Sequence, residues 1–269
     1  MRVIISAGGT GGHIYPALSI INKIKQRDKN AEILYVGTTN RMEKDIIPKY
    51  NIPYYAIKVT GLERKLSINN LKTLKNFIFA VIKMKKKIKE FKPDIVIGVG
   101  GYVTAPVIYA AKICKVKTII HEQNSVLGVT NRFLSKYVDA VLVSFPDTVV
   151  KAKRVVYTGN PSSEELNIPF SKSELGLSST KKLVLIVMGS LGSTTMTQKI
   201  KQIIPAFNIK DYQVIVITGK EYYKDFEIMN LPKNVACVPF LDNFINILKK
   251  TDLIISRAGA STIAEITAI

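Results

Sequence analysis

The stretch Val3-Ile4-Ile5-Ser6-Ala7-Gly8-Gly9-Thr10-Gly11-Gly12-His13 decides the fold. Its short apolar run indicates a buried strand, and a helical pattern with Pro16 near its start follows at once. Four glycines let the backbone turn tightly and approach a ligand, and the helix N-terminus offers N–H groups to an anion. The alternative is a plain strand–helix turn in which His13 takes no part in chemistry.

Two nucleotide-binding signatures do not fit this turn. A dinucleotide fingerprint needs G-x-G-x-x-G, but the sixth residue counted from Gly9 is Ile14. A Walker A loop needs Gly-Lys followed by Ser or Thr, and the turn contains no lysine. The turn is therefore neither of these two loops.

Short β-branched runs alternate with longer amphipathic segments, which predicts a parallel α/β sheet wrapped by helices. Turn-forming residues cluster at 157–163 and the alternation restarts after Lys182, so we predict two domains, 1–158 and 159–269. The second is expected to be incomplete and the chain truncated, because the sequence stops at Ile269 inside a helical pattern without a C-cap. The predicted strands are 3–7, 33–37, 55–59, 94–99, 118–121, 140–144, 183–188, 213–218, 234–240 and 253–256.

Further loops follow other predicted strands of the first domain. Gly100-Gly101-Tyr102-Val103 comes after strand 94–99, and His121-Glu122-Gln123-Asn124 comes at the end of strand 118–121. Ligands of open α/β sheets bind at the carboxyl ends of the strands. The second run is suited to hydrogen-bonding sugar hydroxyls, although His121 or Glu122 could instead brace neighbouring loops.

The predicted second domain offers two loops of the same kind. Gly189-Ser190-Leu191-Gly192-Ser193 lies between a strand and a helix, where backbone amides can hold a phosphate. Arg257-Ala258-Gly259-Ala260-Ser261-Thr262 follows strand 253–256, and Glu265 comes three residues after Thr262. Either Ser261 or Thr262 caps the helix, with Glu265 completing a capping box, or the helix faces a diphosphate and Glu265 binds a ribose.

The net charge of +19 is concentrated in the first part of the chain. Residues 1–155 carry 27 Lys and Arg against 10 Asp and Glu, whereas residues 156–269 carry 12 against 10. The stretch from Arg64 to Lys92 has ten basic residues, one acid and many apolar residues, as in segments that lie on anionic membrane surfaces. An ordinary helix with its lysines in water is the alternative. No nucleic-acid-binding motif occurs, so nucleic acid is not expected as a partner.

Together these loops resemble the MurG-type transferases, the lipid I N-acetylglucosaminyltransferases of peptidoglycan synthesis. The resemblance implies two Rossmann-like domains of the GT-B type with the active site in the cleft between them. It implies UDP-N-acetylglucosamine as donor, lipid I as acceptor, inversion at the sugar carbon, and a peripheral location on the cytoplasmic face of the bacterial cell membrane. The matching signatures are Gly8-Gly9-Thr10-Gly11-Gly12-His13, Gly100-Gly101-Tyr102, His121-Glu122-Gln123-Asn124, Gly159-Asn160-Pro161, Gly189-Ser190 and Arg257-Ala258-Gly259-Ala260 with Glu265.

The resemblance also implies roles for single residues. Thr10, Gly11 and Gly12 would lie beside the donor sugar and the acceptor diphosphate, with Tyr102 among the substrate-binding residues. The donor would contact Asn124 through its N-acetylglucosamine, Ser190 through its diphosphate and Leu241 through its uracil. The residues around the nucleoside would be Ala260, Ser261, Thr262, Ile263, Ala264 and Glu265.

His13 is the best candidate for the general base, because it ends the glycine turn and its reference pKa lies near neutrality. Binding of the lipid diphosphate is its alternative role. No Asp-x-Asp pair occurs in the sequence, which disfavours a metal-dependent GT-A enzyme. We therefore expect no metal and no other cofactor.

The chain departs from the family pattern at two places. Family members carry an arginine directly after the Asn-Pro pair, where Ser162 and Ser163 stand here, and they continue past the equivalent of Ile269. We therefore expect the chain 1–269 to bind the donor weakly and to be a poor or inactive enzyme. Two other functions stay open: another GT-B lipid glycosyltransferase, and a non-catalytic remnant that binds nucleotide sugars or a membrane.

Overall fold

The computed structural model describes residues 1–61, 68–161, 170–189, 192–241 and 244–269. They form two compact units, Met1–Ser162 and Ser163–Ile269. Each unit has its own parallel sheet, of seven strands in the first and four in the second. This confirms the predicted pair of parallel-sheet domains, the second smaller than the first.

The first unit has a sheet with the strand order β3-β2-β1-β4-β5-β6-β7. Every neighbouring pair runs parallel. The strands are β1 (Arg2–Ala7), β2 (Glu32–Thr38), β3 (Tyr54–Ile57), β4 (Ile95–Gly100), β5 (Lys117–Glu122), β6 (Ala140–Val143) and β7 (Val155–Tyr157). The helices are α1 (Gly11–Arg27), α2 (Glu43–Ile46), α3 (Ile68–Phe91), α4 (Thr104–Ile113) and α5 (Val129–Leu134). A short 3-10 helix, Ile47–Tyr50, directly follows α2.

Both faces of this sheet are covered, as the continuous apolar runs predict. Alternate residues of β1 point to opposite sides: Val3 and Ile5 pack in a cluster with α1, whereas Ile4 packs in a cluster with α3 and α4. The strand order reverses between β1 and β4, which pair directly. The turns that follow these two strands therefore lie side by side, at the point where open α/β sheets bind ligands.

The second unit repeats this arrangement on a smaller scale, with the strand order β10-β9-β8-β11. Two apolar clusters cover the sheet, and the edge strand β11 is its most exposed strand. The strands are β8 (Leu183–Val187), β9 (Gln213–Ile217), β10 (Val235–Val238) and β11 (Leu253–Ser256). The helices are α6 (Thr194–Ile203), α7 (Tyr223–Glu227), α8 (Phe244–Leu248) and α9 (Ala260–Thr267), with 3-10 helices at Lys172–Leu175 and Ile204–Ile209.

The sequence pattern missed β7, which pairs with β6 at the edge of the first sheet. Its three residues are too few for a periodic signal, and Val155 and Tyr157 are exposed. The structure also excludes the capping box that was one of the two alternatives for α9. Gly259 is the N-cap residue, no side chain caps this end, and Ser261, Thr262 and Glu265 lie inside the helix. Every helix in the described part of the chain is too short or too charged to serve as a membrane span.

Candidate functional site

The glycine turn after β1 packs against the turn after β4. Gly8 donates its N–H to the carbonyl oxygen of Gly100, at 3.2 Å. Gly101 has a φ of 87°, and a Cβ at this position would lie 2.3 Å from the carbonyl oxygen of Gly8. Only glycine allows both this conformation and this approach. The two signatures Gly8–His13 and Gly100–Tyr102 therefore form one site.

His13 lies at the centre of this contact. Its Nδ1 is 3.0 Å from the carbonyl oxygen of Gly8, and since a carbonyl only accepts, Nδ1 carries the proton and donates it. Its ring lies against Gly100, whose missing Cβ would come 2.8 Å from Nε2. Nε2 is then the unprotonated nitrogen, which is the form that a general base requires.

The environment of His13 keeps its imidazole neutral. Burial lowers the pKa of His13, while the hydrogen bond to Gly8 and the negative charges of Glu122 and Glu43 act in the opposite direction. The lowered pKa means that the unprotonated form persists to a more acidic pH than for a histidine in water. His13 is therefore a base that is available at neutral pH.

Among the described residues, no side chain caps the N-terminus of α1. Thr10 is the N-cap residue and has extended backbone geometry, but its hydroxyl does not cap the helix, and the first turn has no acidic residue. Within the described part of the chain, the N–H groups of Gly11 and Gly12 contact no protein acceptor. Unpaired amides at the positive end of a 17-residue helix attract anions such as phosphate, so this end is a candidate anion site.

The loop after β5 is built around a buried carboxylate. Glu122 accepts hydrogen bonds from the backbone N–H and the side-chain amide of Asn124, at 3.1 and 2.9 Å. Its other oxygen accepts from Gly128 and from the side chain of Asn131, at 3.0 and 2.8 Å. The amide nitrogen of Asn124 is thereby held inward, which leaves the side-chain carbonyl of this exposed residue available to a ligand.

His121 stabilises the loop after β5 through hydrogen bonds at both ring nitrogens. Gln123 donates from Nε2 to His121 Nδ1 at 3.1 Å, and His121 Nε2 donates to the carbonyl oxygen of Gly159 at 3.0 Å. Both ring nitrogens are occupied, and the side chain is buried. The structure thus gives His121 and Glu122 bracing roles, and presents only Asn124 of this run to solvent.

Tyr102 extends the site toward β3. The tyrosine is 58% exposed, and its ring lies against Gly61, where a Cβ would come 2.6 Å from Cζ. This contact joins the turn after β4 to the segment that follows β3. Sequence reasoning did not identify Gly61, because a glycine between two polar segments carries no periodic signal.

The predicted donor residues of the second unit are only partly described. Ser190 lies outside the described residues, as do Ser162 and Ser163. Gly189 and Gly192, on either side of the gap, have φ values of 91° and 81°, which favour glycine. Leu241 is half-buried and packs against the apolar core of this unit. The role of Ser190 therefore stays a prediction from sequence.

Helix α9 contains the remaining predicted residues, Ala260, Ser261, Thr262, Ile263, Ala264 and Glu265. Burial raises the pKa of Glu265 to about 8, so this carboxyl group is largely protonated at neutral pH. A ligand hydroxyl that donates to it would favour its ionised form. The helix brings these six residues together in two turns, but no described contact joins Glu265 to Leu241.

The chain matches two family models, the glycosyltransferase family 28 N-terminal domain at residues 3–143 and its C-terminal domain at 183–269. It is 47% identical to a protein of Bacillus subtilis (strain 168) named UDP-N-acetylglucosamine--N-acetylmuramyl-(pentapeptide) pyrophosphoryl-undecaprenol N-acetylglucosamine transferase. A protein of the same name from Halalkalibacterium halodurans is 44% identical. In both cases all of this chain aligns with 77% of the relative.

Solved structures give the same result. The crystal structure of Acinetobacter baumannii MurG superposes with a TM-score of 0.67 at 28% identity, over 99% of this chain and 76% of that one. A UDP-GlcNAc 2-epimerase from Neisseria meningitidis superposes with a TM-score of 0.65 at 15% identity, over 97% and 78%, and shares the fold alone. The chain therefore belongs to glycosyltransferase family 28 and, within it, to the MurG-type N-acetylglucosamine transferases.

Proposed function

We propose that this protein transfers N-acetylglucosamine from UDP-N-acetylglucosamine to lipid I, the undecaprenyl-diphospho-muramoyl-pentapeptide, and so forms lipid II. The relatives at 44% and 47% identity are named for this reaction. The observation that carries the proposal for this chain is the geometry of His13, whose Nδ1 donates to Gly8 and whose Nε2 is left as the base. His13 Nε2 has no hydrogen-bond partner in the described part of the protein, so it can accept the proton of an acceptor hydroxyl. The open N-terminus of α1 beside it suits the acceptor diphosphate.

In the proposed reaction, the acceptor hydroxyl of the muramoyl sugar attacks the anomeric carbon of N-acetylglucosamine. His13 Nε2 takes the hydroxyl proton as the new C–O bond forms. The C–O bond to UDP breaks on the opposite face of the sugar, so the configuration inverts and UDP leaves with the bonding electron pair. The hydrogen bond from Nδ1 to Gly8 holds the ring in place and stabilises the imidazolium that results.

The acceptor diphosphate would bind at the N-terminus of α1. Thr10, Gly11 and Gly12 form this end, where unpaired amides and the helix dipole favour an anion. Tyr102 is exposed beside the same turns and offers a ring face and a hydroxyl to the acceptor. The N-terminus of α1 would thus bind the diphosphate of lipid I.

We assign the donor contacts as follows. The side-chain carbonyl of Asn124, oriented by Glu122, accepts the N–H of the N-acetyl group. Glu265 accepts hydrogen bonds from the ribose hydroxyls, and Leu241 covers the uracil. The other donor residues are Ser190 at the diphosphate and Ala260, Ser261, Thr262, Ile263 and Ala264 around the nucleoside.

Helix α3 is proposed to hold the enzyme on the anionic cytoplasmic face of the membrane. Its buried side includes Met84 and Ile88, as in an ordinary surface helix. A second apolar stripe faces solvent instead, and its residues are 51% to 69% exposed. Exposed lysines flank the stripe. The stripe consists of Leu71, Leu74, Ile78, Phe79 and Ile82, and the lysines are Lys72, Lys75, Lys83, Lys86 and Lys89.

A stripe of this kind favours lipid over water, because apolar side chains gain about 25 cal/mol per Å² removed from water and each lysine near an anionic surface adds about 1 kcal/mol. Replacing Lys75, Lys83 and Lys86 by Gln should weaken binding to vesicles that contain anionic lipid. The matched control replaces three exposed lysines of the second unit, Lys199, Lys210 and Lys224. Equal loss of binding in both triple variants would contradict the assignment to α3.

The function is tested by sugar transfer with a completed protein, in which the C-terminal segment of the Bacillus subtilis relative follows Ile269, because this chain aligns with 77% of that relative. Radiolabelled UDP-N-acetylglucosamine and a lipid I analogue should give a labelled disaccharide lipid, and UDP-glucose should be a poorer donor because Asn124 then has no N-acetyl group to bind. Release of UDP without lipid product would indicate hydrolysis instead. A completed protein that binds both substrates and makes no product would contradict the proposed function.

A further inference from the structure

Glu43 is a buried carboxylate beneath the glycine turn, at the start of α2. One oxygen accepts the N–H of Gly9 at 3.0 Å. The other accepts the N–H and the hydroxyl of Thr38, at 3.0 and 2.6 Å. The Thr38 hydroxyl itself accepts from the N–H of Arg41, so its hydrogen is directed to Glu43. All three partners donate, which is the arrangement that stabilises a carboxylate.

Two glycines make room for this side chain. A Cβ on Gly8 would lie 2.5 Å from Glu43 Oε1, and a Cβ on Gly37 would lie 2.8 Å from Glu43 Cγ. Glu43 cannot easily move aside, because its three hydrogen bonds hold both oxygens. The ligand-binding turn is therefore shaped around this carboxylate as well as around its ligand.

The negative charge of Glu43 is not neutralised by a neighbouring cation. Among the side chains that the structure describes, no lysine or arginine forms an ion pair with it. A fully buried charge without a counterion is expensive to keep, which calls for a reason other than stability. Gly8 links this carboxylate to His13, because a Cβ on Gly8 would lie 2.5 Å from Glu43 Oε1 and the Gly8 carbonyl oxygen accepts from His13 Nδ1. Glu122 from the end of β5 and Glu43 from α2 are the two acids that raise the pKa of this histidine.

We propose that Glu43 is a positioning residue of the transfer reaction, which holds Gly9 in its left-handed conformation (φ 91°) and places a fixed negative charge beside His13. The inference rests on the proposed function for its chemical meaning. When His13 takes the acceptor proton, the charge of Glu43 stabilises the imidazolium, and since the carboxylate is already in place, no reorganisation is needed. Glu43 itself touches neither substrate.

The two histidines of the chain make this testable by NMR, since each gives its own ring signals. The titration midpoints of His13 and His121 are measured in the parent and in Glu43→Gln, which keeps the shape and removes the charge. We expect the His13 midpoint to fall in the variant. The His121 midpoint should stay, because Glu122 is the acid that acts on it. Thr38→Val is the matched control: it removes one donor, keeps the charge, and should leave His13 unchanged.

An unchanged His13 midpoint in Glu43→Gln would overturn the proposal, as would equal shifts of both histidines. Should this variant fail to fold, the parent protein alone is measured. The carboxyl carbon resonance of Glu43 should then shift at the same pH as the ring signals of His13. A Glu43 resonance that does not change when His13 titrates would overturn the proposal. No substrate is used in these titrations. A completed protein that transfers no sugar would therefore refute the proposed function without deciding the effect of Glu43 on His13.

Discussion

His13 and His121 are the only two histidines of the chain, and they have much in common. Each follows or ends a strand of the same sheet, each is buried enough to lower its pKa, and each donates a hydrogen bond of 3.0 Å to a glycine carbonyl. They differ at the other ring nitrogen. In His121 it accepts from Gln123, whereas in His13 it is left for a ligand.

This difference is our reason for proposing that His13 acts as the base and that His121 holds its loop in place. Burial and a lowered pKa are shared by both side chains, so neither property identifies the reactive one. A nitrogen without a protein partner, beside glycines that keep the space open, does identify it. Substitutions can test whether His13 is needed for turnover and His121 for stability.

Replacing His13 should have the largest effect. In His13→Ala of the completed protein the acceptor hydroxyl has no base, so turnover should fall by roughly 100-fold or more. The predicted nucleotide contacts lie in the second unit, so the affinity for UDP, measured by calorimetry, should not change. Turnover within a few-fold of the parent would remove His13 from the mechanism.

Replacing His121 should instead destabilise the fold. His121→Ala leaves the Gly159 carbonyl and the Gln123 amide without their partner, and each unpaired buried group costs about 1–3 kcal/mol. Denaturant unfolding should show a loss of that order, whereas His13→Ala should lose less. The pKa of His121 is lowered in the folded state, so its contribution to stability is present above pH 6.5 and is lost as the pH falls through the folded-state pKa. Equal stability of both variants would refute the division.

The segment after Gly159 leads to Ser162 and Ser163, where the family resemblance implies an arginine. An arginine there should restore a charge-assisted hydrogen bond to the donor, worth about 1.5 kcal/mol or roughly tenfold in affinity. Calorimetry with UDP-N-acetylglucosamine should therefore show tighter binding by Ser162→Arg. Ser179→Arg, at an exposed position of the second unit, adds the same charge and serves as the control. Equal gains in both would show a general charge effect only.

Glu265 is a half-buried carboxyl group whose pKa is shifted in the opposite direction, being raised by desolvation to about 8. At pH 7 it is mainly protonated, and ribose hydroxyls that donate to it would favour its ionised form. UDP binding at pH 7 should therefore release up to one proton, and affinity should rise as the pH rises toward 8. Calorimetry in two buffers of different ionisation enthalpy measures this release. It should vanish in Glu265→Gln, and a parent that releases no proton would contradict the ribose contact.

Much of the fold could be read from the sequence, because ten of the eleven strands are apolar runs bounded by turn residues. Strand β7 could not, since it has only three residues, two of them exposed, and these give no pattern. His13 and Asn124 were identified because they end loops at strand carboxyl termini. Glu43 was not, because its role arises only when α2 folds beneath a turn 34 residues earlier in the chain. The sequence pattern Thr262 to Glu265 suggested a cap that the helix does not use.

Whether His13 acts as a neutral base is decided by the pH dependence of sugar transfer by the completed protein. We expect kcat/KM to fall on the acidic side with a midpoint below the ordinary histidine value of 6.5, since burial lowers the pKa of His13. The midpoint should coincide with that of the His13 ring signals measured by NMR on the same protein. A rate that stays constant through this midpoint, or that follows the titration of His121 instead, would exclude His13 as the general base.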